Sequence, residues 1–339
     1  MDEYPVVFLC DGSRDIGLGH VSRCVALAEA LQEQGKRAHF HGCFEAGAQE
    51  LLREAGLTYR ALDCTLRDFD RESLLAVTKE ANPGALVIDS YAIAAEDLAM
   101  LDSLDVPVAV IDDFARLDRY DCSAVLNFTV EAKQLPYRGS ARRWLLGPEY
   151  LLVHRALRTA RLTAASAKGA LRRVLLCIGG SDRHGLTVKA ARLLKESGYE
   201  GALHVVVGAS YCAMDELKCL LGTGDLVDVQ LPNLADALSK ADLCICGGGL
   251  TKYEAAYLGV PVAVLSQNED QAAETVQFAA HGLAVDLGLG VGASDDVLTQ
   301  RLADVLRDEV GRRRLREAGL RAFPNDPTAN AATALATLL

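Results

Sequence analysis

Two glycine-rich stretches carry residues whose types and spacing suit chemistry. The first, DGSRDIGLGH (11–20), leads from an apolar run into a helical pattern and ends on His20. Gly17 and Gly19 admit backbone angles and a close ligand approach that side chains would prevent. An imidazole at a helix start is favoured as the neutral base, the form that takes a proton from water or a hydroxyl. The local pattern leaves an alternative open, a polar turn with a solvated histidine, because a lone GxGH is not the full dinucleotide fingerprint.

The second stretch is ICGGGLTKYEAAYLGVPVAVLSQNEDQ (245–271). An apolar run enters Gly247, Gly248 and Gly249, and Leu250 leads into a helix. There Thr251 can cap the helix or bond a phosphate oxygen, Lys252 offers a charge-assisted contact, and Glu254 stands within reach of ribose hydroxyls. The next run ends in Ser266, Gln267 and Asn268, with Asp270 and Gln271 opening another helix. Polar groups at two successive strand ends suit a nucleotide or a sugar. The plainer alternative is one tight turn with a solvated Glu254. A third turn, GGSDRHGLT (179–187), brings Gly179, Gly180 and Ser181 to the same edge.

Alternating elements must position these turns. The first half offers strand-like runs at 5–10, 37–43, 85–90, 108–113 and 124–128, and the second half at 172–180, 202–208, 226–231, 242–249 and 260–267. Most are almost continuously apolar, as parallel strands buried on both faces are. Between them lie helical patterns; in the first, Val21, Cys24, Val25, Ala28 and Leu31 recur at helical spacing. Strand and helix in alternation predict an α/β fold with parallel sheets, and ligands at the carboxyl ends of the strands. The small, polar stretch 158–173 reads as a linker or linker helix. We therefore expect two Rossmann-like domains facing each other across a cleft: residues 1–160 on the sugar or acceptor side, 170–310 on the nucleotide side, and a helical segment over 311–339, with a helix near 308–321 as the candidate to cross back.

Composition excludes other classes. The chain has 339 residues and a formal net charge of -11, without a dense Lys/Arg run, which argues against a nucleic-acid partner. Its ten cysteines form no CxxC pair and read as reduced thiols of a cytoplasmic protein. The start MDEYP lacks a signal-peptide pattern, and no apolar run reaches membrane-span length, so no membrane insertion is expected. His39, His41, His184 and His204 read as strand or loop residues, and His281 as a helix C-terminus. No metal site and no cofactor is expected; Asp112-Asp113 is adjacent rather than the spaced DxD of a metal-bound diphosphate.

Six blocks carry a resemblance: DGSRDIGLGHVSRCVALAEAL, IDSYAI, IDDFARLDRYDCSAVLNF, LLGPEYLLVHRAL, GGSDRHGLTVKAARLL and GGGLTKYEAAYLGVPVAVLSQNEDQ. In this order they resemble the UDP-sugar hydrolases of the pseudaminic acid pathway and the related spore-coat polysaccharide biosynthesis proteins. The resemblance implies a GT-B, glycosyltransferase-like fold, a UDP site in the C-terminal half, no required metal, and a histidine base matched by His20. Asp11 matches the acid at the first strand end. Gly179, Gly180, Ser181, Asp182, Gly248, Thr251, Glu254, Asn268 and Gln271 match nucleotide-side positions, with Gly249 and Leu250 in the same turn. Gly17, Gly19, Asp89, Tyr91, Asn127 and His154 are the candidates for the sugar. The chain departs from the family pattern at Leu9, where an Arg is common; at Ser90 in Asp89-Ser90-Tyr91-Ala92, where the family's DHYG has lost its histidine; at His154, where an Arg is frequent; and at Ala156, where an acid is usual. All lie on the sugar side, which implies a retained nucleotide and an altered sugar or acceptor.

The leading expectation is a hydrolase. His20 takes a proton from water, the water attacks the anomeric carbon with inversion, and UDP leaves with its charge held by N–H groups and Lys252. Asp11 orients the ring or holds the sugar. The alternative is a glycosyltransferase, in which His20 deprotonates a hydroxyl of a small-molecule or glycan acceptor. The third class is a nucleotide-sugar sensor without activity.

Overall fold

The computed structural model describes residues 4–163, 171–180, 182–209 and 211–338. Two compact units emerge: residues 1–155 with 326–339, and residues 156–325.

In the first unit, seven parallel strands form one sheet: β1 (Val6–Cys10), β2 (Ala38–Gly42), β3 (Thr58–Ala61), β4 (Ala85–Asp89), β5 (Val108–Ile111), β6 (Ala124–Asn127) and β7 (Arg143–Leu146), in the order β3-β2-β1-β4-β5-β6-β7. β1, β4, β5 and β6 are buried along their whole lengths. This explains their unbroken apolar sequences: a central strand with helices over both faces has no wet side. β1 and β4 lie in register from Val6–Ala85 to Cys10–Asp89, so both strands deliver their next residues to the same edge. The helix Gly19–Glu33 follows β1 and buries Val21, Cys24, Val25, Ala28 and Leu31, the five residues whose spacing marked it.

In the second unit, six parallel strands, β8 (Arg173–Cys177), β9 (Ala202–Val207), β10 (Leu226–Val229), β11 (Leu243–Cys246), β12 (Val262–Ser266) and β13 (Val285–Leu289), are ordered β10-β9-β8-β11-β12-β13. Its core joins Leu176, Leu203, Val205, Ile245 and Leu265 to Leu186, Leu194 and Leu302 from the covering helices. The sheet order reverses between β8 and β11, the position at which α/β sheets open a crevice at their carboxyl ends. The helix Glu309–Ala322 belongs to this unit; the helix that returns to the first unit is the following one, Pro327–Ala336, begun by the Asp326 cap and a proline in the first turn. The helix Arg155–Thr163 opens the stretch read as a linker, of which 164–170 lie outside the described residues.

Candidate active site

In the first unit, His20 is the second residue of its helix and only 9% exposed, so it is not the solvated histidine of an open turn. Its Nδ1 lies 2.6 Å from Oδ1 of Asp89, the last residue of β4. Arg23, three residues further on the same helical face, grips that carboxylate from the other side. Its Nε donates to Oδ2 at 2.5 Å and its Nη2 to Oδ1 at 2.6 Å, while Nη1 donates to Asp113. Burial opposes ionisation of Asp89, but Arg23 and then His20 outweigh it and hold the carboxyl well below the usual carboxylate range. An ionised Asp89 accepts, so Nδ1 is assigned the proton and Nε2 the lone pair. The Tyr91 ring packs edge-on to His20 at 4.7 Å, and its hydroxyl donates to Asp113 at 3.3 Å. Burial, then the Asp113 charge, push the Tyr91 phenol far up, so it stays a donor.

The other sugar-side candidates separate. Asp11 accepts from the backbone N–H of Cys43 at 2.9 Å and of Leu66 at 2.8 Å, tying down the loops after β2 and β3; the carboxylate on the His20 ring is that of Asp89. Asn127 is fully committed: its Nδ2 donates to Asp113 O and the Tyr137 hydroxyl, and its Oδ1 accepts from Thr129 N–H. His154 pairs with Ser22 at 2.9 Å and lies 3.7 Å from Glu29, bracing the His20 helix. Gly17 adopts φ +85, and a side chain at Gly17 or Gly19 would meet no atom within 4 Å, so the backbone there is open. Arg23 and Asp113 escaped the sequence reading. The available signal was the i, i+3 spacing of His20 and Arg23 on a helix otherwise buried through apolar residues.

In the second unit, the turns after β8 and β11 are built by close backbone approach. A side chain at Gly247 would meet Ile178 O at 2.1 Å, and one at Gly248 would meet Gln271 Cβ at 2.6 Å. Gln271 Oε1 accepts from Gly248 N–H at 3.2 Å and Gln267 N–H at 3.0 Å, while Asn268 caps the helix Glu269–Ala280 by accepting from Gln271 N–H. Gly179 takes φ +142, and Gly180 and Gly249 face open space. Leu250 and Thr251 follow directly as N-cap and first residue of the helix Thr251–Tyr257. Glu254 is 5% exposed, contrary to the solvated alternative. Asp182 occupies the start of the helix Leu186–Glu196, accepting from Leu186 and Thr187 N–H at 2.8 and 2.6 Å. Ser181 lies outside the described residues. Lys252 corrects an expectation: its side chain is fully buried, its ammonium donates to Gly248 O and pairs with Glu274 at 2.8 Å, so it is spent behind the glycine turn rather than presented to a phosphate.

These two parallel-sheet units define a GT-B glycosyltransferase-like fold. MurG of Acinetobacter baumannii matches with a TM-score of 0.62 at 17% identity, over 98% of this chain and 99% of that one. The spinosyn rhamnosyltransferase SpnG, solved with thymidine diphosphate, matches with a TM-score of 0.65 at 18% identity, over 98% and 99%. No family model matches the chain. In sequence it is similar to the spore coat polysaccharide biosynthesis protein SpsG of Bacillus subtilis, 26% identical over 309 residues, 89% of this chain and 88% of SpsG. It is also 26% identical over 278 residues to the uncharacterised protein MJ1062 of Methanocaldococcus jannaschii, covering 78% of this chain but 56% of MJ1062, little more than half its length.

Proposed function

We propose that the protein is a glycosyltransferase of GT-B type that moves a sugar from a UDP-sugar to an acceptor hydroxyl in surface-polysaccharide or related glycan biosynthesis. The observation that carries this reading is the buried His20–Asp89 pair with its 2.6 Å contact. With Nδ1–H held by the carboxylate, Nε2 takes the acceptor's proton as its oxygen attacks the anomeric carbon. The bond from that carbon to the diphosphate oxygen breaks, and its electron pair leaves on UDP, with inversion for a single displacement. The imidazolium formed is stabilised by ionised Asp89. Gly179, Gly180, Gly249, Leu250 and Thr251 are assigned to the diphosphate through backbone N–H groups, with Gly248, whose own N–H is held by Gln271 Oε1, shaping the turn, and Glu254, Asn268 and Gln271 on the nucleoside side. The glycosyltransferase fold and the similarity to SpsG support the transfer reading.

Hydrolysis is the second reading, favoured by the sequence blocks that resemble UDP-sugar hydrolases; water then stands in the acceptor's place. Incubating the purified protein with a panel of UDP-sugars, with and without acceptors, separates the two. Acceptor-dependent UDP release supports transfer, and release without acceptor supports hydrolysis. Tight binding with no release under either condition overturns both and leaves a sensor.

A further inference from the structure

Arg23 is a buried cation with two buried or half-buried carboxylates on it, and nothing in the reaction itself calls for a guanidinium there. Its side chain is 7% exposed, that of Asp89 0% and that of Asp113 12%. The Nε and Nη2 fork takes both oxygens of Asp89, which leaves that carboxylate one rotation, with Oδ1 toward His20 Nδ1. Nη2 also comes within 3.3 Å of that nitrogen. The third nitrogen is drawn to Asp113. With neutral His20, the formal charges of Asp89, Asp113 and Arg23 sum to one negative; a proton on His20 brings the cluster to neutrality. Without Arg23, Asp89 at the ring and Asp113 beyond Arg23 would stand uncompensated, a charge balance that favours the imidazolium over the neutral base. The other groups turned to this ring are Tyr91, a protonated phenol, and Asp11, whose carboxylate also interacts electrostatically with His20 while accepting from Cys43 and Leu66 N–H.

We propose that Arg23, shared between Asp89 and Asp113, is a positioning residue that aims Asp89 at His20 and offsets part of the carboxylate charge near the imidazole. This rests on the reading of His20 as the base. The two parts of the device have opposite electrostatic signs, so they are separable. Removing the cation raises the pH at which His20 titrates; removing the Asp113 charge lowers it; an Arg23→Lys exchange keeps the charge but loses the planar fork.

The test follows the His20 ring directly by NMR titration of the imidazole in the whole protein, assigned against His20→Gln, alongside the pH dependence of kcat. Arg23→Gln is expected to move the His20 titration upward by about one pH unit, the size of shift a charge at this range produces. Asp113→Asn should move it downward by less. Arg23→Lys should leave it near the wild-type value while lowering kcat more than it changes KM. If Arg23→Gln does not fold, Asp113→Asn decides alone: a downward shift supports the proposal, and an unchanged or upward one overturns it. Shifts of the same sign in Arg23→Gln and Asp113→Asn also overturn it. If the NMR titrations move as expected but the kcat profiles do not follow, the inference about Arg23 stands and the assignment of His20 as base fails.

Discussion

At the scale of single residues, the His20 ring is held by geometry that suits a base and by little else. General base catalysis is worth about 10²–10⁴-fold in rate, so His20→Ala should lose on that order in kcat while UDP affinity, assigned to the second unit, hardly changes. His20→Asn should not rescue, because an amide cannot take the proton. A variant with near-normal kcat and raised KM would make His20 a binding residue. Asp89→Asn leaves a side chain of the same shape on Arg23 but removes the charge that fixes the tautomer and supports the imidazolium, so kcat should again fall with UDP binding intact. Asp11 behaves differently. It accepts two backbone N–H groups at 2.9 and 2.8 Å, and an amide in its place offers one of them a donor. Asp11→Asn should therefore lower Tm by more than it lowers kcat; the reverse, a large kcat loss at unchanged Tm, would return Asp11 to the chemistry.

At the scale of elements, β2 carries a pH dependence of stability. His41 is 2% exposed, and its Nδ1 has no hydrogen-bond partner. Burial, then neighbouring His39 and Arg60, push its folded pKa from 6.5 down to about 4. Between those values the unfolded chain binds the proton and the folded chain does not. The unfolded state thus holds more protons there, and stability rises with pH. The contribution is complete above about 6.5 and falls away as the pH drops toward 4. His39, also shifted down by burial, adds in the same direction. Melting curves at pH 4.5 and 7 should differ less for His41→Leu than for the wild type; an equal difference would mean that His41 is not the source. The turn after β11 is a second element with a mechanical limit. At Gly248 an added methyl meets Gln271 Cβ at 2.6 Å, and Gln271 is the residue whose Oε1 holds Gly248 and Gln267 N–H. Gly248→Ala should weaken UDP binding measured by calorimetry more than it lowers Tm; unchanged affinity would detach this turn from the nucleotide.

At the scale of the whole molecule, the chain crosses from the first unit to the second at Arg155–Ala156 and returns at Asn325–Asp326. The returning helix is anchored chiefly through its first turn. Thr328 Oγ1 accepts from Val153 N–H at 2.9 Å and lies 3.0 Å from Leu151 O, and Asn330 Nδ2 donates to Glu149 O. Cutting the chain after Asn325 should raise amide exchange in the helix Gly19–Glu33 and in residues 149–154, with little effect on β8–β13. Uniform loss of protection would refute the division. Added UDP should protect residues 175–275 above all others; equal protection of both units would count against the nucleotide assignment. Since backbone N–H groups are assigned the diphosphate charge, turnover should survive EDTA, and loss of turnover restored by magnesium would contradict that assignment.

Burial on both faces made much of this legible in the chain itself. Ten strands were marked by mostly apolar runs, and with them the two parallel sheets; a strand that meets no water needs no polar residue, although the exposed edge strand β10 was marked as well. Three strands escaped, and all are sheet edges: β3, β7 and β13 are largely exposed or half-buried, as in TYRA and RWLL, so no unbroken apolar run betrays them. The glycine turns were visible for backbone reasons, since Gly247 and Gly248 sit too close to neighbouring atoms for a Cβ and Gly17 and Gly179 take positive φ. Side-chain partnerships were not. Asp89 lies 69 positions from His20 and Asp113 lies 90 from Arg23, and only the sheet register and the helix face bring them together. Sequence spacing likewise offered Lys252 to a phosphate and Asp11 to the His20 ring. Tertiary packing gave Lys252 to Glu274 and Asp11 to two loop amides, because a buried charge must be satisfied by whatever the fold sets within hydrogen-bond reach.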